Sequence, residues 1–350
     1  MPADTLLQRL FLDAQEEFLK AIDHVPNPGR GGAIGSLNPA SWTVAHLAST
    51  HDAWINVFCA EDDPEPWIDA WYEANGDRNA PPTDDTLPAY GDVRASFERV
   101  AENAARWVEH ASWEELLRPA ALPPEAGAWA GTRRAYLVAR AVAHIYIHAG
   151  ELSVLASLMA ADDLGLPGDL QHSSPPTAED DPSVPVIAAL LRDAFVEMRR
   201  IAVVTPTPAV EGAMDRLNPV SHTVVHVLQR EDRFWSQVAQ GNEPNAALAK
   251  LAEGASAEPK PLPWGDCLDA LDGVEWAVSP WLGTVTPQVG ATPMKWRDDS
   301  SYAAQMARSA THLLAHAGEI QAHASLYGVQ SIGQPGPLAR VSEVLAGMPS

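Results

Sequence analysis

Leu37-Asn38-Pro39-Ala40-Ser41-Trp42-Thr43-Val44-Ala45-His46 returns later in the chain as Leu217-Asn218-Pro219-Val220-Ser221-His222-Thr223-Val224-Val225-His226, with seven of ten positions identical. An internal repeat is read before any local pattern, because each copy is one folding unit. Two further matches follow in the same order. Leu87-Pro88-Ala89-Tyr90-Gly91-Asp92 returns one residue shorter as Leu262-Pro263-Trp264-Gly265-Asp266. His144-Ile145-Tyr146-Ile147-His148-Ala149-Gly150-Glu151 returns as His312-Leu313-Leu314-Ala315-His316-Ala317-Gly318-Glu319. Three anchors in one order predict a tandem duplication. The offset between copies shrinks from 180 residues at the first anchor to 168 at the last, which places shorter connections in the second copy.

Working outward, a length of 350 residues suits two cores of ordinary size. The expected organisation is a first unit over 1–164, a linker over 165–183 rich in Pro, Gly, Ser and Asp, and a second unit over 184–350. A hydrophobic fraction of 46% with twelve tryptophans indicates a folded chain. A formal net charge of -23 repels phosphate backbones and anionic lipid heads, so nucleic acid and membranes are excluded as expected partners. No run of about 18 apolar residues stands out, and Met1-Pro2-Ala3-Asp4 lacks the start of a signal peptide, which predicts a cytoplasmic location. Cys59 and Cys267, one in each half, form no local pair and read as small buried residues.

Each copy reads as four main helices, an all-α fold of two four-helix bundles. Leu6, Leu7, Leu10, Phe11, Ala14, Phe18, Leu19 and Ile22 recur at three and four, the stripe of a helix packed on one face. The second helix is expected to start at the Asn-Pro pair, with Asn38 or Asn218 as cap, and to run to about Cys59 or Gln240. The third is expected to start after Gly91-Asp92 and Gly265-Asp266 with aspartate as cap, and the fourth spans about Thr132 to Met159 and Ser301 to Tyr327. Strand signals are absent. The acidic runs Glu61-Asp62-Asp63 and Glu179-Asp180-Asp181 read as solvated loop, and Trp42, Trp54 and Trp235 as bundle core.

The chemistry lies in the histidines. Twelve scattered at random would give about 0.4 pairs at a spacing of four, the spacing that puts two rings on one helix face. The chain has three such pairs: His144 with His148, His312 with His316, and His222 with His226, the last lacking a counterpart because Trp42 stands in the first copy. The second helix supplies a third ligand, so His46, His144 and His148 are expected to hold one divalent ion and His226, His312 and His316 another. Three neutral imidazoles with open positions suit zinc, nickel or iron. Glu151 and Glu319, three residues beyond the last ligand, could orient it or take a proton, or serve only as helix-face hydrogen-bond partners. His51 and Glu231, at equivalent positions five beyond the second-helix histidine, are acid or base candidates whose difference hints that the copies are not identical in function. The bland alternative for the histidines is capping and core filling.

Trp42-Thr43-Val44-Ala45-His46-Leu47 together with His144-x-x-x-His148-Ala149-Gly150-Glu151 resembles the DinB-like superfamily, which includes metal-dependent thiol transferases of the YfiT kind. The resemblance covers both halves and implies a four-helix bundle with a three-histidine site. Members include mycothiol-dependent maleylpyruvate isomerase, bacillithiol transferases and the iron-binding domain of ergothioneine-forming sulfoxide synthases. Glu151 and Glu319 stand where relatives commonly have glutamine. Relatives often pair as dimers, so the chain resembles such a pair fused into an intrachain pseudo-dimer, a monomer acting on a small-molecule substrate. The activity this implies is a thiol S-transferase or thiol-dependent isomerase with a low-molecular-weight thiol as cofactor. A metal-dependent hydrolase and a non-catalytic metal-binding stress-response protein are the competing readings.

Overall fold

A computed structural model of the chain describes residues 5–31, 35–75, 87–123, 129–168, 170–173, 177–212, 216–254, 259–294, 297–329 and 336–349. It is mostly helical. The principal helices are α1 (Leu6–His24), α2 (Ala40–His51), α3 (Tyr90–His110), α4 (Arg134–Leu158), α5 (Val184–Ala202), α6 (Val220–Glu231), α7 (Trp264–Leu282), α8 (Tyr302–Leu326) and α9 (Ala339–Ala346). In the first half α1 packs on α3 and α4, and α2 on α3 and α4; in the second, α5 packs on α7 and α8, and α6 on α7 and α8. Leu6, Leu7, Leu10, Phe11, Phe18 and Ile22 of α1 are all fully buried, each contributing roughly 1.5–3 kcal/mol by leaving water.

The most extensive packing in the molecule is α4 against α8. It depends on Gly150 and Gly318. A Cβ on Gly150 would fall on the Ala315 carbonyl oxygen, and one on Gly318 on the Ile147 carbonyl oxygen. The helices therefore cross backbone to backbone, which explains the glycine in both His-Ala-Gly-Glu motifs. Alone among the described helices, α4 is long and apolar enough to cross a membrane by composition, and 83% of that apolar window is buried within the protein. Its apolarity is that of a helix enclosed by α1, α2 and α8, against the expectation that no such stretch exists.

Several local expectations are corrected. Pro39 and Pro219, not Asn38 and Asn218, precede the first helical residue of α2 and α6, and no side chain caps either helix. α3 and α7 start at Tyr90 and Trp264, so Asp92 and Asp266 lie in the first turn, where a carboxylate meets the positive end of the helix. α2 and α6 do not continue regularly to Cys59 and Gln240; each passes into a π-helical turn, Asp52–Val57 and Asp232–Val238. Two short strands, β1 (Pro293–Met294) and β2 (Arg297–Ser301), pair antiparallel just before α8 and are too short for alternation to announce them. Cys59 and Cys267 are buried free thiols, as expected.

The stretch read as a linker is fastened to α1. Asp13 accepts from the backbone N–H of His172 at 2.7 Å and of Ser173 at 2.8 Å, Glu17 accepts from Gly168 at 2.8 Å, and Asp181 accepts from Leu6 at 2.7 Å. Asp181 is thus buried, not solvated, because it caps the start of α1. Asp169 and residues 174–176 of this stretch lie outside the described residues. The second half repeats the device: Asp193 accepts from Arg340 and Val341, and Glu197 from Gly336. Each tail also reaches the other half's long helix, through Arg308 donating to the Gly168 carbonyl and Arg140 donating to the Gly336 carbonyl, both at 2.9 Å.

Candidate metal centre

The six histidines singled out in the sequence converge as two trios: His46, His144 and His148, and His226, His312 and His316. Within each trio one nitrogen from every ring lies within 4.8 Å of the others. α4 and α8 supply the pairs at a spacing of four; α2 and α6 supply the third ring. In the first trio Nε2 of His144 lies 3.2 Å from Nε2 of His46 and 2.9 Å from that of His148. In the second, Nε2 of His316 lies 3.2 Å from that of His312. Two nitrogens bound to one ion at about 2.0–2.1 Å stand about 2.9–3.4 Å apart for bond angles between a right angle and tetrahedral. The observed separations fall in that range, so the donor sets fit a divalent ion.

Electrostatics agree. Burial, and then the neighbouring His148 and His46 rings, hold His144 well below the ordinary histidine range. Burial and His316 do the same to His312, and burial lowers His226. A neutral imidazole is the ligand form. Burial acts to lower His316 as well, but the Glu319 carboxylate outweighs it and the ring is raised.

Glu151 and Glu319 play the same positioning part. Nδ1–H of His148 donates to Glu151 at 2.6 Å, and Nδ1–H of His316 to Glu319 at 2.6 Å, which fixes the tautomer with Nε2 free to ligate. Their second oxygens differ. Glu151 Oε1 accepts from Gln321 of α8 at 2.6 Å, a contact between the halves that sequence reading missed, whereas Glu319 lines an open cavity.

His51 and Glu231 are both fully buried beside the trios. Burial, then His148 and His46, push His51 down to about 3, so it is a neutral ring. Burial raises Glu231, whose carboxylate lies 3.7 Å from Nδ1 of His312 while its other oxygen accepts from Trp235 Nε1 at 2.9 Å. Nδ1 of His144 and of His312 have no hydrogen-bond partner among the described residues, the proton-bearing atoms of rings whose Nε2 would ligate. The second half thus sets a carboxylate beside its ligand where the first half has an imidazole.

Covering separates the two further. The first trio is buried throughout, with Trp42 stacked on His46 at 5.2 Å and 8° between planes, and Trp54 5.4 Å from His144. In the second, His222 takes Trp42's place outside the trio, His226 is exposed, and its ring stands 5.8–5.9 Å from its partners against 5.1–5.3 Å in the first. A cavity of about 530 Å³ opens onto His226, His312, His316 and Glu319. The matching place in the first half, beside Asn38, Thr43 and Glu151, holds about 30 Å³. His323 also lines the large cavity and was missed, although it continues the stripe of His312 and His316 along one face of α8.

No family model matches the chain, and neither a curated protein nor a solved structure gives a match.

Proposed function

We propose that the chain is two tandem DinB-like four-helix bundles joined as an intrachain pseudo-dimer, and that it is a metal-dependent enzyme of small-molecule thiol chemistry acting at the second trio. The observation that carries this reading is a three-imidazole set with one exposed member on the wall of a cavity of about 530 Å³, room enough for a small-molecule substrate. His226, His312 and His316 would hold a divalent zinc, nickel or iron ion, which when bound lowers the pKa of a thiol or water in its open position. Glu319 holds His316 in its ligating tautomer. Its other oxygen has no protein partner among the described residues, and from the cavity wall that Glu319 lines it would take a thiol proton. The sequence resemblance to thiol transferases supports the choice of thiol over water.

The first trio reads differently, because Trp42 and Trp54 cover it and the adjoining space is only about 30 Å³. His46, His144 and His148 would hold a structural ion that stabilises the first bundle. Elemental analysis should find two ions per chain, and His148→Ala and His316→Ala should each remove one. The metal-loaded protein should consume an activated haloaromatic only when a low-molecular-weight thiol is added, and His316→Ala should abolish this while His148→Ala retains it. Turnover of an ester without thiol would replace the reading by hydrolysis, and absence of bound metal would sink it.

A further inference from the structure

One end of the large cavity carries hydrogen-bonding groups of which three side chains find no partner among the described residues. His323 is 4% exposed and its Nε2 has no partner among the described residues. Across the cavity, on α4 of the other half, the Ser153 and Ser157 hydroxyls make no hydrogen bond among the described residues, although helical serines commonly bond the carbonyl one turn back. Arg216 adjoins them: its exposed guanidinium reaches the Ala161 carbonyl, four residues past Ser157, at 3.4 Å.

The matched positions around the small cavity beside the first trio show what a closed version looks like. Gln321, in the place of Ser153, donates to Glu151 at 2.6 Å; Ser325, in the place of Ser157, donates to the Gln321 carbonyl at 3.0 Å. Ser36, in the place of Arg216, donates to the Ser325 carbonyl, and Leu155 stands in the place of His323. There the polar groups satisfy one another and the space shrinks to about 30 Å³. Around His323 they are left for a ligand.

All four groups at this end can donate, and Arg216 adds positive charge, which selects an oxyanion. Of the acids that line the cavity, Glu319 is bonded to His316 while its charge also reaches His323, Asp163 acts on His316, and Asp162 follows the Ala161 whose carbonyl holds Arg216. His316 and His323 are seven residues apart on one helix, a rise of about 10 Å.

We infer that the cavity takes a small carboxylic acid that spans it from trio to cluster, its carboxylate held by His323, Ser153, Ser157 and Arg216 about 10 Å from the atom that meets the histidines. His323 is the specificity-determining residue. The length rests on the metal reading proposed above; the carboxylate end does not.

Cobalt-loaded protein titrated with 8-mercaptooctanoic acid, 8-mercaptooctanol and 3-mercaptopropanoic acid tests this, with the visible spectrum of cobalt reporting thiol binding. The long acid should bind about tenfold more tightly than either control, the size of effect expected for a charge-assisted hydrogen bond. His323→Leu, the residue of the first half, should erase that preference without changing cobalt uptake, and His323→Gln should restore part of it. Equal binding of acid and alcohol, or a preference that survives in His323→Leu, overturns the inference. If cobalt does not bind, the metal reading falls by itself. Octanoate added to the metal-free protein should then still shift the His323 ring nitrogens in NMR spectra, and no shift would overturn the carboxylate site as well.

Discussion

The two trios share ligands, spacing and a glutamate behind the last histidine, yet one is sealed and the other faces a cavity. The difference comes from neighbours, not from the donors. Trp42 lies flat on His46, whereas its counterpart His222 leaves His226 exposed. His51 stands beside the first trio, whereas Glu231 sets its carboxylate 3.7 Å from His312. Gln321 engages Glu151, whereas Ser153 leaves Glu319 facing the cavity. A conserved donor set fixes that an ion can be held, and the groups around it decide whether anything else can approach.

The largest expected effect strikes both trios at once. Gly318→Val puts a side chain onto the Ile147 carbonyl at the crossing of α4 and α8, and should cost more than about 4 kcal/mol, read as loss of cooperative thermal unfolding. Removing metal with a chelator should come next. A buried ion at a thousandfold excess over its dissociation constant stabilises by about 4 kcal/mol, so Tm should fall by roughly 10 °C, and His148→Ala should suppress most of that fall while His316→Ala suppresses less. An equal contribution from both would erase the contrast between a sealed and an open site.

The covers can be exchanged. Trp42→His should cost about 2–3 kcal/mol in lost burial and speed release of the first ion, measured by transfer to a coloured chelator. His222→Trp should slow release from the second site and reduce turnover with the ion retained. Glu231→Gln keeps the shape but removes the charge facing His312, and should weaken the second site's metal affinity by about 10–100-fold with the first unchanged. The smallest change is Gln321→Ala, which frees one oxygen of Glu151. It should cost about 1 kcal/mol and loosen metal binding at the first trio alone.

Much of this was legible in the sequence because helix periodicity makes a spacing of four mean adjacency, and because the repeat supplied each histidine pair with its third partner. Six of six ligand candidates meet as the two expected trios. The rest needed three dimensions. The π-helical turns after His51 and Glu231 have no composition of their own, so α2 and α6 were read as running on regularly. Trp42 was rightly placed in the core, but nothing in one chain says that its ring covers His46. Asp13 and Asp193 carry no local signal in the sequence, yet they hold backbone N–H groups more than a hundred residues away, and the stretch expected as a linker is pinned by one of them. His323 was passed over because it lies seven residues beyond His316, two turns along the same face, rather than one.

The contact of α4 with α8 at Gly150 and Gly318 has one more consequence. An assembly of two identical subunits joined across such a glycine seam would present every residue twice, so a tryptophan lid on one centre would shut the other too. In a single continuous polypeptide the two sides of the seam are encoded separately. One face can become a sealed keel while the other stays a workplace, and the seam obliges neither to follow its twin.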